Sequence, residues 1–179
     1  ADPAFTGTVV GLVAEGDLGT VSYSRTNTAE GVGLYENVLD ATFTSNTNYT
    51  VVVVPGDFTI TAASTMTVSA ENVVKTYDGN SYGVSATSNV ADAVIKYWNE
   101  STEAYDLDVS PAIANVSGSP LTVKFQASHP NYVTATGEAT VTINPAEVTI
   151  TVGNASKVFG EADPAFTGTV VGLVAEGDL

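Results

Sequence analysis

The most constraining feature of this sequence is an exact repeat of eighteen residues. The stretch ADPAFTGTVVGLVAEGDL occupies positions 1–18 and returns unchanged at positions 162–179. Identity of that length does not arise by chance, so the interval of 161 residues between the two copies is a repeat period. We therefore expect the chain to be a window cut from a longer tandem array.

Short runs in which every second residue is apolar dominate the chain, and they are rich in Val, Thr, Ile and Tyr. This alternation is typical of half-buried antiparallel strands. The clearest runs are 49–54, 58–62, 121–125, 139–143 and 148–152. The best helical candidates, 11–17 and 36–42, are long enough for only one or two turns. The pattern predicts an all-β fold.

A weaker repeat lies inside the long period. The order Asn-Tyr, a Gly turn, Thr-Ile and a small-residue junction occurs at 48–63 and recurs at 131–146. After each junction comes a strand with a matching turn, at 66–79 and at 148–161. The spacing of these matches is about 82 residues, close to half of the long period. The sequence thus predicts two related but diverged domains in each long period.

These motifs carry a resemblance to a known family. The turn KVFG at 157–160, the closing segments NYT at 48–50 and FTIT at 58–61, and the PGD turn at 55–57 together resemble the MBG repeat domains of large bacterial cell-surface proteins. The second domain departs from that pattern because its turn reads KTYDG, at 75–79, and resembles a sister group with a Tyr-Asp-Gly turn. The resemblance implies an extracellular location on the bacterial cell surface, a tandem arrangement and no enzymatic activity.

The resemblance implies three segments. Residues 1–63 are an MBG-like domain that lacks its first strand, residues 64–145 are the second, diverged MBG-like domain, and residues 146–179 begin the next copy of the first domain. We expect small tandem β-sandwiches of the immunoglobulin-like kind, with β-grasp-like mixed sheets as the alternative. A substantial helix packed across a sheet would favour the β-grasp. The expected core residues are Val51, Val53, Phe58 and Ile60 in the first domain, and Val123, Phe125, Val141 and Ile143 in the second.

Charge narrows the classes of partner. Twenty acidic residues stand against five basic ones, a formal net charge of -15. Such a surface repels nucleic-acid phosphates and anionic lipids, so neither partner is expected. No apolar stretch is long enough to cross a bilayer, so we expect no membrane insertion of this segment.

Catalysis and cofactors are not expected. The single histidine, His129, lies in the loop-like sequence SHPN, and the chain has no cysteine, so neither a nucleophile–histidine pair nor a zinc site is indicated. Residues 78–83 begin like a calcium loop, but the fifth position is Tyr82 and the twelfth is Asn89 where the EF-hand has a bidentate Glu, so the EF-hand pattern fails. Turn formation by Asp78 and Gly79 is the favoured interpretation.

One stretch, YWNESTEAYDLDVS, could carry recognition. It places aromatic rings beside carboxylates, and exposed pairs of this kind suit contact with glycan or protein. The candidate recognition surface consists of Trp98, Glu100, Glu103, Tyr105 and Asp106. The competing interpretation is that Tyr97 and Trp98 alternate across a strand with one of them in the core.

The function favoured by these features is a structural stalk that projects a distal domain from the cell surface. The alternative is an adhesin whose repeats bind glycan or protein weakly and gain strength through multivalency. The expected partners are neighbouring repeats. Because the opening strand of the first domain occurs only after Ala146, we also expect it to complete the first domain of another chain, head to tail.

Overall fold

The computed structural model describes residues 1–175, which are all-β. The fourteen strands are β1 (Ser22–Arg25), β2 (Gly33–Thr42), β3 (Gly56–Ile60), β4 (Val68–Ser69), β5 (Val73–Thr76), β6 (Tyr82–Gly83), β7 (Thr87–Ser88), β8 (Val94–Asn99), β9 (Ala104–Leu107), β10 (Ala112–Ile113), β11 (Leu121–His129), β12 (Tyr132–Asn144), β13 (Thr149–Val152) and β14 (Gly168–Val171). One 3₁₀ turn, Val116–Gly118, is the only helical segment in residues 1–175. The all-β prediction is confirmed, and the described residues contain no helix that would favour the β-grasp alternative.

The described chain divides into two compact units. Unit 1 comprises residues 1–64 together with 130–133, and unit 2 comprises residues 65–129 together with 134–175. Within unit 1, Ala63 forms a parallel bridge with Tyr132, in which the Val133 N–H donates to the Ala63 carbonyl at 2.8 Å. A short piece around Asn131 therefore belongs with the first unit although it is distant in sequence.

Unit 2 is built on a five-stranded sheet with the strand order β5-β12-β11-β8-β9. β5 runs parallel to β12, whereas β8 is antiparallel to both β11 and β9. Two short antiparallel ladders, β4–β7 and β6–β10, supplement the sheet. The sheet is thus mixed, a feature that alternation along single strands does not show.

The core of unit 2 lies between the sheet and the short ladders. Phe125 and Val141 are fully buried, and Val123 and Ile143 are 1% and 2% exposed. Val68 of β4 and Ile113 of β10 pack against this cluster from the short ladders. The four core residues predicted for the second domain are confirmed.

Unit 1 contains one antiparallel sheet with the strand order β1-β2-β3. The helical candidate at 36–42 is wrong, because those residues lie in β2 and pair with β1. The register with β3 shifts between Tyr35 and Leu39, where Asn37 has a φ of 56°. The Asn37 N–H donates to the Asp57 side chain at 2.8 Å, so the bulge is held from the neighbouring strand. The other candidate, 11–17, forms bends and turns without a helix.

The N-terminal segment is attached to the unit 1 sheet by side chains. Asp2 pairs with Arg25 at 3.1 Å, and the Arg25 guanidinium lies 4.9 Å from the centre of the Phe58 ring. Phe5 meets the same ring edge to face, with 5.5 Å between ring centroids. These contacts fix the start of the first eighteen-residue copy.

The burial predicted for the core residues of unit 1 is wrong. None of Val51, Val53, Phe58 and Ile60 is buried, and Leu18, 4% exposed, is the one buried apolar side chain among the described residues of unit 1. The predicted strand at 49–54 is also absent: those residues adopt no strand, although the sequence YTVVVV favours one. Isolated strand-forming residues need a neighbour for their backbone groups, and in unit 1 these residues have none in a ladder.

Residues 146–175 form an antiparallel hairpin of β13 and β14. All eight residues of the two strands are exposed, including Ile150 at 61% and Val152 at 71%. Residues 176–179, at the end of the predicted third segment and of the second eighteen-residue copy, lie outside the described residues.

The burial contrast between two phenylalanines gives a matched test of this core. Phe125→Ala removes a fully buried ring, and we expect it to lower the free energy of unfolding of unit 2 by about 3–5 kcal/mol. Phe159→Ala removes a fully exposed ring and should change that value by less than about 0.5 kcal/mol. Denaturant unfolding followed by the fluorescence of Trp98, the only tryptophan, measures both. Equal effects of the two variants would contradict the assigned core.

Candidate functional site

The candidate recognition surface lies on the hairpin of β8 and β9, at one edge of the unit 2 sheet. Tyr97 and Trp98 alternate across β8: Tyr97 is 8% exposed and packs edge to face on Phe125, whereas Trp98 points to the opposite face. The Tyr97 hydroxyl also accepts a hydrogen bond from the Ala86 N–H at 3.1 Å. One aromatic of the pair is therefore structural, and the other is available on the outer face.

Trp98 and Tyr105 form the centre of this outer face. They are cross-strand partners in the β8–β9 register, and their rings meet edge to face with 5.1 Å between centroids. The Lys124 ammonium, from the adjacent strand β11, lies 5.7 Å from the centre of the Trp98 ring. Such aromatic and cation–π contacts stabilise the orientation of half-buried rings. The Trp98 indole N–H is buried and has no hydrogen-bond partner within residues 1–175.

The three predicted carboxylates do not converge on one point. Asp106 lies on β9 and accepts a hydrogen bond from the Thr102 hydroxyl at 2.7 Å. Glu100 and Glu103 are exposed in the turn that joins β8 to β9, where Glu103 has a φ of 52°. Positive φ at this position completes the tight connection. The structure brings Trp98 and Tyr105 into contact and leaves the acids around them.

Hydrogen bonds lower the pKa of Asp106. The hydrogen bond from Thr102 is the main cause that lowers its pKa, and the side chain of Asn99 adds to the effect. Nearby, the Lys96 ammonium pairs with Asp108 at 2.5 Å. The surface is thus a pair of aromatic rings, with Lys124 over one of them, bordered by carboxylates that can accept hydrogen bonds.

Sequence reasoning missed Lys124 and Thr102 as parts of this surface. Lys124 alternates with the buried residues Val123 and Phe125, which indicates an exposed side chain, but only the strand order places it beside Trp98. Thr102 lies four residues before Asp106, and this spacing within a turn was the one feature of the local sequence that indicated their side-chain hydrogen bond.

The calcium-like loop is a turn held by its own aspartate. Asp78 accepts hydrogen bonds from the Asn80 N–H at 3.0 Å and from the Tyr82 hydroxyl at 2.5 Å. The Tyr82 bond is the main cause that lowers the pKa of Asp78, and it raises the pKa of Tyr82. Among residues 1–175 no group of three or more His, Cys, Asp or Glu side chains has the geometry of a metal site.

Comparison with known proteins identifies the family of this chain. The profile of the MBG domain (YGX type) matches residues 1–59 and 148–179, which together make up just over half of the chain. The chain belongs to the MBG domain (YGX type) family. The predicted resemblance is confirmed for the segments that carry the KVFG turn and the NYT motif. No curated protein and no solved structure matches the chain.

The MBG match leaves residues 60–147 outside it, including β8, β9 and the KTYDG turn. MBG domains occur as repeats in extracellular surface proteins, and the family is of a structural type rather than a known enzyme family. In the described part of the chain, no helix is long and apolar enough to cross a membrane.

The Thr102–Asp106 bond predicts a measurable change in titration. Thr102→Val removes the donor, so the pKa of Asp106 should rise toward the ordinary 3.8. Since the folded-state pKa is lowered, the stabilisation from this bond is present above the unfolded-state pKa and is lost as pH falls through the folded value. Carboxyl ¹³C chemical shifts followed against pH report the change. Ser101→Ala is the control and should leave the titration unchanged; a pKa of Asp106 that is the same in T102V and the native chain would contradict the assignment.

Proposed function

We propose that this segment is part of a structural stalk in a large bacterial cell-surface protein, where repeated domains hold a distal functional domain away from the cell. The observation that carries the proposal is the exact return of residues 1–18 at 162–179 inside a chain of the MBG family. Identical copies at a fixed period are typical of arrays whose length matters more than the variation of any single copy.

The structure of unit 2 supports this function. Its core is continuous around Phe125 and Val141, so the unit can be stable without a ligand. The net charge of -15 favours solubility of a long array and opposes its association with anionic surfaces. A repeat of this kind supplies reach through its number of copies.

The dependence of the largest dimension on the number of repeat copies tests the proposed stalk. Polypeptides with one, two and four copies of the 161-residue period should show a largest dimension that rises by a constant increment for each added copy, as measured by small-angle X-ray scattering at low concentration. A dimension that grows only with the cube root of mass would mean that the repeats collapse into one globule, and the stalk would be excluded.

A second candidate function, an adhesin, is favoured by the outer face of the β8–β9 hairpin. Trp98, Tyr105 and Lys124 offer rings and a cation beside the carboxylate of Asp106, an arrangement suited to weak contact with a sugar ring or a protein side chain. Weak sites of this kind become effective only in repeated copies.

A glycan array separates the two functions. If the repeats are adhesive, polypeptides with four periods should bind at least about tenfold more strongly than those with one, and Trp98→Phe should weaken binding in both. Val109→Ala, at an exposed position outside this face, is the matched control and should bind as the native chain does. If neither the one-period nor the four-period polypeptide binds any glycan, a glycan-binding adhesin is excluded.

A further inference from the structure

The loop that joins β13 to β14 contains a peptide bond between an aspartate and a proline, Asp163 and Pro164. The loop, at 153–167, has no strand and is exposed along its whole length. A hydrogen bond from the Gly153 N–H to the Thr167 carbonyl, at 2.7 Å, joins its two ends. The proposed stalk assigns no chemistry to this loop.

A turn inside the loop brings Lys157 against Asp163. The Glu161 N–H donates to the Val158 carbonyl at 3.1 Å, and Gly160 has a φ of 90°, so the chain reverses between the two side chains. The Lys157 Nζ lies 2.5 Å from the Asp163 Oδ1. The ammonium thus touches the carboxylate of the residue whose main-chain carbonyl precedes the proline.

An aspartyl–prolyl bond has a chemistry of its own. The side-chain carboxylate can reach the main-chain carbonyl carbon of its own residue and close a small ring, a cyclic anhydride. Being part of one residue, the two groups react with the advantage of an intramolecular nucleophile. The proline nitrogen belongs to a tertiary amide without a hydrogen, so it takes a proton more readily than an ordinary peptide nitrogen and then leaves as an amine. Such a bond needs a proton donor beside it.

We propose that Lys157 and Asp163 cut the 163–164 bond and become joined to each other. In the first step the Asp163 carboxylate attacks its own main-chain carbonyl carbon, and the bond to the Pro164 nitrogen breaks. The Lys157 ammonium gives its proton to that nitrogen, as a general acid. This step leaves an anhydride at Asp163, a free proline amine and a neutral lysine amine.

The second step joins the two side chains. The Lys157 amine attacks the side-chain carbonyl carbon of the anhydride, so an amide forms between Lys157 and Asp163 while the anhydride C–O bond breaks. A main-chain carboxylate remains at Asp163, and the proton released by the lysine passes to the proline amine. One amide is broken and one is formed, without water, oxidant or reductant. The masses of the two pieces therefore sum to the mass of the intact chain.

Contact gives Lys157 an advantage over water. The loop is exposed, so water also reaches the anhydride, but the lysine already lies against the reacting residue. Formation of the anhydride also removes the negative charge of Asp163, and loss of that partner favours the neutral, nucleophilic form of the amine. The reaction changes the chain once and turns over no substrate, so it is compatible with a structural family.

Mass spectrometry of the denatured chain tests the reaction. The purified native chain is incubated at neutral pH and then denatured, because the β13–β14 ladder links the segments on either side of the cut. We expect pieces of residues 1–163 and 164–179 whose masses sum to that of the intact chain. Trypsin should fail to cut after Lys157 in the first piece, because its side chain is joined to Asp163.

Two substitutions separate the roles of the partners. Asp163→Ala removes the internal nucleophile and should leave the bond intact. Lys157→Arg keeps a positive charge, but a guanidinium neither gives up its proton readily nor attacks the anhydride, so cleavage should slow at least about tenfold and the first piece should gain one water. Lys124→Arg is the matched control at an exposed lysine of β11 and should react as the native chain does.

Four results would overturn the proposal. The native chain stays as intact as D163A; the native pieces sum to the mass of the intact chain plus one water; the uncut chain loses one water, which would mean that the side chains join without cleavage; or K157R reacts at the native rate and gives the native products.

Discussion

The backbone of a β-strand needs a hydrogen-bonded neighbour, and this constraint explains most of what separates the two units. The same four residues, GTVV, form β14 beside β13 but form no strand at positions 7–10. Their side chains are identical, so propensity cannot account for the difference. Residues 49–54 show the same dependence, because four consecutive valines without a ladder partner remain irregular. Strand formation at these positions therefore follows the presence of a ladder partner rather than propensity.

Unit 2 shows the consequence of having such partners. Its β4 and β5 contribute Val68 and Val73 to the cluster around Phe125, and β5 extends the sheet beside β12. Full burial of an aliphatic side chain contributes about 1.5–3 kcal/mol, and these two partly buried side chains contribute a share of that to the stability of unit 2. Unit 1, in which Leu18 is the one buried apolar residue among those described, has a smaller core. The MBG match also has two parts, residues 1–59 and residues 148–179, and the second part contains the opening segment at 148–161.

Much of the fold could be predicted from alternation alone. The runs at 121–125 and 139–143 are strands with Val123, Phe125, Val141 and Ile143 buried, because a period of two places those residues on one face. Alternation failed at 49–54, where pairing was lacking, and at 36–42, where a bulge at Asn37 interrupts the period. At the candidate recognition surface, the contact of Trp98 with Tyr105 depends on hairpin register, and that of Lys124 depends on strand order. Neither can be read from local sequence.

The central claim, that a ladder partner determines whether GTVV is a strand, can be tested inside one molecule. Amide hydrogen exchange, measured by NMR in a dilute solution of the chain, compares residues 7–10 with residues 168–171. Their intrinsic exchange rates are matched because the surrounding sequences are identical from position 1 to 18 and from 162 to 179. The account predicts protection of hydrogen-bonded amides in 168–171 and fast exchange throughout 7–10. Equal protection of the two tetrapeptides would contradict it.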